Sequence, residues 1–369
     1  VKPRALAVAV LGTLAAGVWM RWSLAGRVAL SLPFENLRHA HSHLGYFGML
    51  FPLAWLGWKA AGVRTPGRGW MVFYAVSTAV ATAGFVVGGY GPVAIAGSTA
   101  VSVVWLWSLG PLRTHMKRWR DPLGAVPLGL LLSLACVPPV AIHLRTDPDL
   151  AHAFVSTFLS GLLFVVVVPS VLAGARVSAG PWPGLLLTGA LGALALGVSP
   201  TWPARLGLAG FAALLTAPVA SKTLPLHTRA SWLGVVVGIV ALALGLLPNT
   251  RPVALGAVHF LILGPVMAVL APRALQVDPP AWAWWLGHAL WGSMSAALVA
   301  QAFVSGAWTW TAAALGGTGT LLWWAAAIFA RRGVNPDGRV DLAHDERVDR
   351  QSSAPNPDYE TPGSPPSRR

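Results

Sequence analysis

Apolar runs of nearly span length, separated by short polar segments, recur from residue 5 to residue 330. Crossing ~30 Å of hydrocarbon at about 1.5 Å per residue takes roughly 20 apolar residues. Twelve runs come close to that length: near 5–20, 39–58, 70–88, 92–110, 124–144, 151–173, 182–199, 204–220, 232–248, 253–271, 281–303 and 307–330. The pattern predicts an all-α fold, a polytopic membrane helix bundle of about 12 transmembrane helices over residues 1–330. Prolines inside the runs (Pro52, Pro138, Pro139, Pro169, Pro218, Pro265) imply kinks rather than breaks, because neighbouring helices satisfy the freed carbonyls. The first run follows Lys2 and Arg4 as a secretory signal would. It lacks a small-residue cleavage site and further runs follow at once, so it reads as a retained first helix. From Arg331 onward Asp, Arg, Pro and Ser replace apolar residues, too few of which remain to offset chain entropy, and 331–369 reads as a disordered cytoplasmic tail. No repeat of fixed period stands out, nor the inverted repeat usual in secondary transporters.

Charge orients the bundle. Of 26 Lys and Arg and 12 Asp and Glu, seven of each lie after Ala330, leaving 19 bases against five acids before it. A net +14 would point to nucleic acid in a soluble domain. Here the bases sit in short loops between apolar runs, where they set orientation instead, so the expected partner is the lipid bilayer and not nucleic acid. With the N-terminus inside, twelve spans place thirteen basic residues in the cytoplasm and six outside, and the densest basic loop, Arg113 to Arg120, falls inside. Both termini are then cytoplasmic. The single cysteine, Cys136, excludes an intrachain disulfide, a four-thiolate cluster and covalent c-type haem attachment.

No Asp or Glu lies within a predicted run, whereas histidines do, so imidazole is the main ionisable chemistry available within the membrane. The second run opens Arg38-His39-Ala40-His41-Ser42-His43. His39 and His43 share a helix face, while His41 points roughly 160° away from its middle, so one helix addresses two neighbours. His143 ends the fifth run and His152 begins the sixth on the same outer side. His259 lies ~10 Å below the outer boundary in the tenth run, and His288 ~12 Å above the inner one in the eleventh. His115 and His227 fall in predicted cytoplasmic loops and His344 in the tail, where solvated roles are expected. Two chemistries fit imidazoles gathered in one outer layer. Haem iron takes axial histidines from two facing helices, with Arg38 placed to pair with its propionates. A copper ion takes a compact imidazole cluster. Of the 19 tryptophans most stand near run ends as interfacial anchors, and Met294 reads as packing rather than as an axial ligand.

Twelve runs with histidine on the second, sixth and tenth resemble subunit I of the haem–copper oxidase superfamily and its NnrS-type relatives. The stretch Arg38 to Gly48 is similar to the second-helix motif of those proteins, and His39-Ala40-His41 to the HAHE opening of the NnrS type, with Ser42 and His43 in place of its Glu and Met. The resemblance implies a haem–copper oxidase-like helix arrangement in the bacterial cytoplasmic membrane. It implies a b-type haem held without covalent links by one of His39, His41 and His43 together with His259, and a copper or second-haem ligand at His152. Departures limit it. The seventh run holds no histidine, Leu261 follows Phe260 where a His-Phe-His would stand, no tyrosine neighbours His152, and no run carries a proton-relaying acid. These argue against a full proton-pumping oxidase. What remains is a bis-histidine haem site near the periplasmic side, with a second metal site drawn from His152, His288 and His143.

The functional expectation is electron transfer, or nitric oxide or oxygen metabolism with a small gaseous ligand, served by a periplasmic or membrane redox partner. Catalysis requires an open axial position, which sequence does not count, so whether the chain is an oxidoreductase stays open. The alternative is a histidine-dependent copper transporter, weakened by the scarcity of polar stations below His259. A third reading is an assembly subunit whose histidines bind nothing.

Overall fold

In the computed structural model, residues 3–143, 146–178, 180–197 and 201–330 are described, and among them there is no β-strand. The expected disordered tail and Arg145 lie outside the described residues. The first half comprises α1 (Pro3–Leu24), α2 (Phe34–His43), α3 (Phe51–Ala60), α4 (Arg68–Gly88), α5 (Pro92–Leu112), α6 (Val126–Ala135), α7 (Val137–His143) and α8 (Pro148–Ser160). The second comprises α9 (Val168–Gly174), α10 (Trp182–Gly197), α11 (Trp202–Leu214), α12 (Thr216–Ala220), α13 (Leu226–Ala243), α14 (Arg251–Leu261), α15 (Met267–Leu275), α16 (Ala281–Ala300) and α17 (Ala307–Phe329).

Among the described residues, nine helical segments are long and apolar enough to cross a bilayer, which makes the chain a multi-pass helical membrane protein. Helices also occupy the other three predicted runs. Of these α10 has only 16 residues, while the segment from Phe34 and α16 are diluted by histidine-rich and tryptophan-rich turns. Val72, Phe73, Val76, Val80 and Val87 leave one side of α4 apolar and exposed, as a lipid-facing surface requires. Helix ends extend past the predicted runs, so Glu35 and Asp149 sit in the first turns of α2 and α8, where a carboxylate offsets the helix dipole.

The second, sixth and tenth predicted runs share a feature absent from the sequence reading. Each is interrupted by a π-helical segment: Leu44–Leu50 between α2 and α3, Gly161–Val167 between α8 and α9, and Ile262–Val266 between α14 and α15. The cause is local. Pro52, Pro169 and Pro265 have no N–H to offer the carbonyls of Gly48, Val165 and Leu261, and the backbone closes with wider rings instead. Thus Phe51 N–H donates to Tyr46 O, Val168 N–H to Leu163 O and Met267 N–H to Ile262 O. Below these segments the three helices meet: the Trp58 indole donates to Ser170 Oγ at 2.6 Å, Gly57 lies under the Ser170 carbonyl, and Leu270 packs over Gly174. The residues three positions before the π segments are His41, Phe158 and His259.

Candidate functional site

Beside that junction lies a cavity of about 490 Å³, lined by α1, α2 with the π segment that follows it, α14, α16 and α17. Its walls are mostly apolar; its polar lining includes His41, His259, Arg21, Arg38, Arg251 and Gln301.

His41 and His259 lie close together in its wall. Their ring centroids are 6.3 Å apart and their planes differ by 11°. A metal–imidazole bond is about 2 Å and the ring nitrogen lies roughly 1 Å from its centroid, so two imidazoles on opposite sides of one metal have centroids about 6 Å apart. The tautomers agree. His41 Nδ1–H donates to Thr13 O at 2.8 Å and His259 Nδ1–H to Leu255 O at 2.7 Å, because a carbonyl only accepts. Each neutral ring therefore carries its lone pair on Nε2, and a backbone partner fixes its orientation.

The other two histidines of α2 turn the opposite way. His43 Nδ1–H donates to His39 O at 2.9 Å, and its ring stacks on Phe85 of α4 at 3.9 Å. His39 lies edge-on to Tyr90 at 4.5 Å and within 3.9 Å of Glu35. Burial holds the Tyr90 phenol above its ordinary pKa, opposed by Arg38 nearby. Arg38 lines the cavity but is ion-paired with Glu35 one turn away.

The residues expected at a second metal site are dispersed. His143 stacks on Phe154 with centroids 6.5 Å apart, and His152 is exposed; neither lines the cavity. His288 has both nitrogens engaged. The Trp291 indole, a donor only, gives its N–H to His288 Nδ1 at 3.0 Å, so His288 carries its proton on Nε2 and donates to His227 Nδ1 at 3.2 Å. His227 is not the solvated loop residue expected, since α13 begins at Leu226 and buries it against Trp284. His115 is likewise buried, with Nδ1 2.5 Å from Asp121. Among the described residues, no three His, Cys, Asp or Glu side chains gather as a metal cluster.

Sequence reasoning missed the contribution of α1. Thr13, Gly17 and Arg21 form an i, i+4, i+8 stripe along the cavity. Arg21, expected in an outer loop, is buried in the last turn of α1. A Cβ at Gly17 would come within 2.9 Å of His41 Cε1, so glycine is what lets the imidazole lie against the helix. The available signal was that Arg21 is the single charged residue between Arg4 and Arg27. Comparison with protein-family models, with curated proteins and with solved structures finds no match to this chain.

Proposed function

We propose that this chain is an integral membrane haem protein in which His41 and His259 hold the iron of a b-type haem through their Nε2 atoms. The observation that carries the reading is the near-parallel pair of imidazoles at 6.3 Å across an apolar cavity, both with Nδ1 tied to the backbone. A bare metal ion needs more ligands than two, but a porphyrin brings four in-plane nitrogens of its own, so two side chains complete the set. The cavity suits a flat apolar ring with an acidic edge, because its walls are apolar and its arginines lie to one side of the pair.

When bound, such a group supplies a one-electron couple. The chain's own residues hold and tune it: Thr13 O and Leu255 O raise the basicity of the two imidazoles, and the apolar walls exclude water. Held by both His41 and His259, such a group would favour electron transfer over binding of a gas. The site lies at the end of the bundle where α2 and α14 begin, the periplasmic side in the twelve-span topology with both termini cytoplasmic. In this reading the resemblance to the NnrS-type group rests on the ligand helices, and no copper site enters it.

Protein purified from haem-replete cells is expected to show a Soret band and reducible low-spin haem, abolished or converted by His259→Ala. Copper uptake into liposomes by protein without any haem spectrum would replace this reading with the permease.

A further inference from the structure

Arg21 is 8% exposed, and its Nε atom has no hydrogen-bond partner. Among the described residues it forms no ion pair, since the acids in ion pairs are Glu35, with Arg38 and His39, and Asp121, with His115. An ionised side chain taken out of water costs several kcal/mol unless an opposite charge accompanies it. Two further buried polar atoms without partners belong to the same cavity wall, Gln301 Nε2 and Thr13 Oγ1. Arginine and the Gln301 amide nitrogen are donors, so the missing partner is an acceptor.

The geometry points to Arg21, with Gln301 lining the same cavity, as the anchor for an anionic carboxylate on the ligand that fills it. Arg38 does not take that role because Glu35 already holds it, and Arg251 is exposed to solvent, where a pair is worth little. The inference rests on the haem reading for the identity of the ligand, whose propionates are the carboxylates in question, and assigns their contact to a residue of α1. A fork of guanidinium donors on a carboxylate is stronger than a neutral hydrogen bond, and stronger still where water is excluded.

The test compares ferric haem with its dimethyl ester, which has the same ring and no carboxylate. Wild-type apo-protein is expected to bind haem about ten- to hundredfold more tightly than the ester, the range for a charge-assisted hydrogen bond. Arg21→Met should lose that preference by binding haem as weakly as the ester, and its apo form should melt at a higher temperature because an uncompensated buried charge is gone. Arg21→Lys, which keeps charge without the fork, should retain part of the preference and serves if the methionine variant does not fold. An unchanged preference in either variant overturns the anchor while leaving the haem reading intact. Failure of the wild type to bind either compound overturns both.

Discussion

His41 shows how much one imidazole depends on its surroundings. Three histidines within five residues differ little in sequence, yet one faces α1 and His259 while two lie against Phe85 and Tyr90. On the proposed haem reading, His41→Ala should abolish the Soret band just as is expected of His259→Ala, whereas His39→Ala and His43→Ala should leave its position unchanged. Gly17→Ala places a methyl 2.8 Å from Arg21 Nη1 and 2.9 Å from His41 Cε1, and the imidazole cannot retreat without losing Thr13 O. Such overpacking costs about 1–3 kcal/mol, so haem affinity should fall roughly tenfold with a shifted reduction potential. His288 should behave oppositely. His288→Ala strands the Trp291 indole, and His227 loses its donor, at a cost of about 1–3 kcal/mol. The expected result is a lower melting temperature with an unaltered haem spectrum.

Helices here are positioned by what their sequences omit. Prolines delete single N–H groups and yield three π-helical segments, and each segment shifts the side chains above it relative to those below. Two of the three helices use that shift to present a histidine to the cavity. The third has Phe158 at the matching position, which packs near Tyr46 and Trp105 and does not line the cavity. Glycines omit side chains where helices cross, as membrane helices do to bring backbones together. A Cβ at Gly97 of α5 would lie 2.5 Å from Ala81 N of α4. Gly97→Leu should therefore separate that pair and cost at least about 1–3 kcal/mol, read as a lower melting temperature in detergent. The prolines and glycines were legible in the sequence; which carbonyl each proline frees and which backbone each glycine admits depend on contacts it does not list.

The bundle presents apolar faces outward and holds a cavity, lined in part by polar residues, among its helices. Apolar faces such as that of α4 need the bilayer, and the scarce charges within helices gather at the cavity and at helix ends. The proposed twelve-span topology makes a direct prediction. In a Cys136→Ser background, Thr250→Cys at the start of α14 should react with a membrane-impermeant thiol reagent added to intact cells, and Lys222→Cys before α13 should not. The reverse labelling would invert the proposed topology and bring the cavity of His41 and His259 to the cytoplasmic side.

Hydropathy alone determined that this chain is a helical membrane protein whose spans carry imidazole, because burying an apolar run depends on its own residues and not on its neighbours. Only the tertiary structure decided which imidazoles lie together. Their proximity is a matter of ångströms between residues more than 200 positions apart, and the contacts that orient His41 and His259, the wall supplied by α1 and the burial of Arg21 arise only when those helices pack.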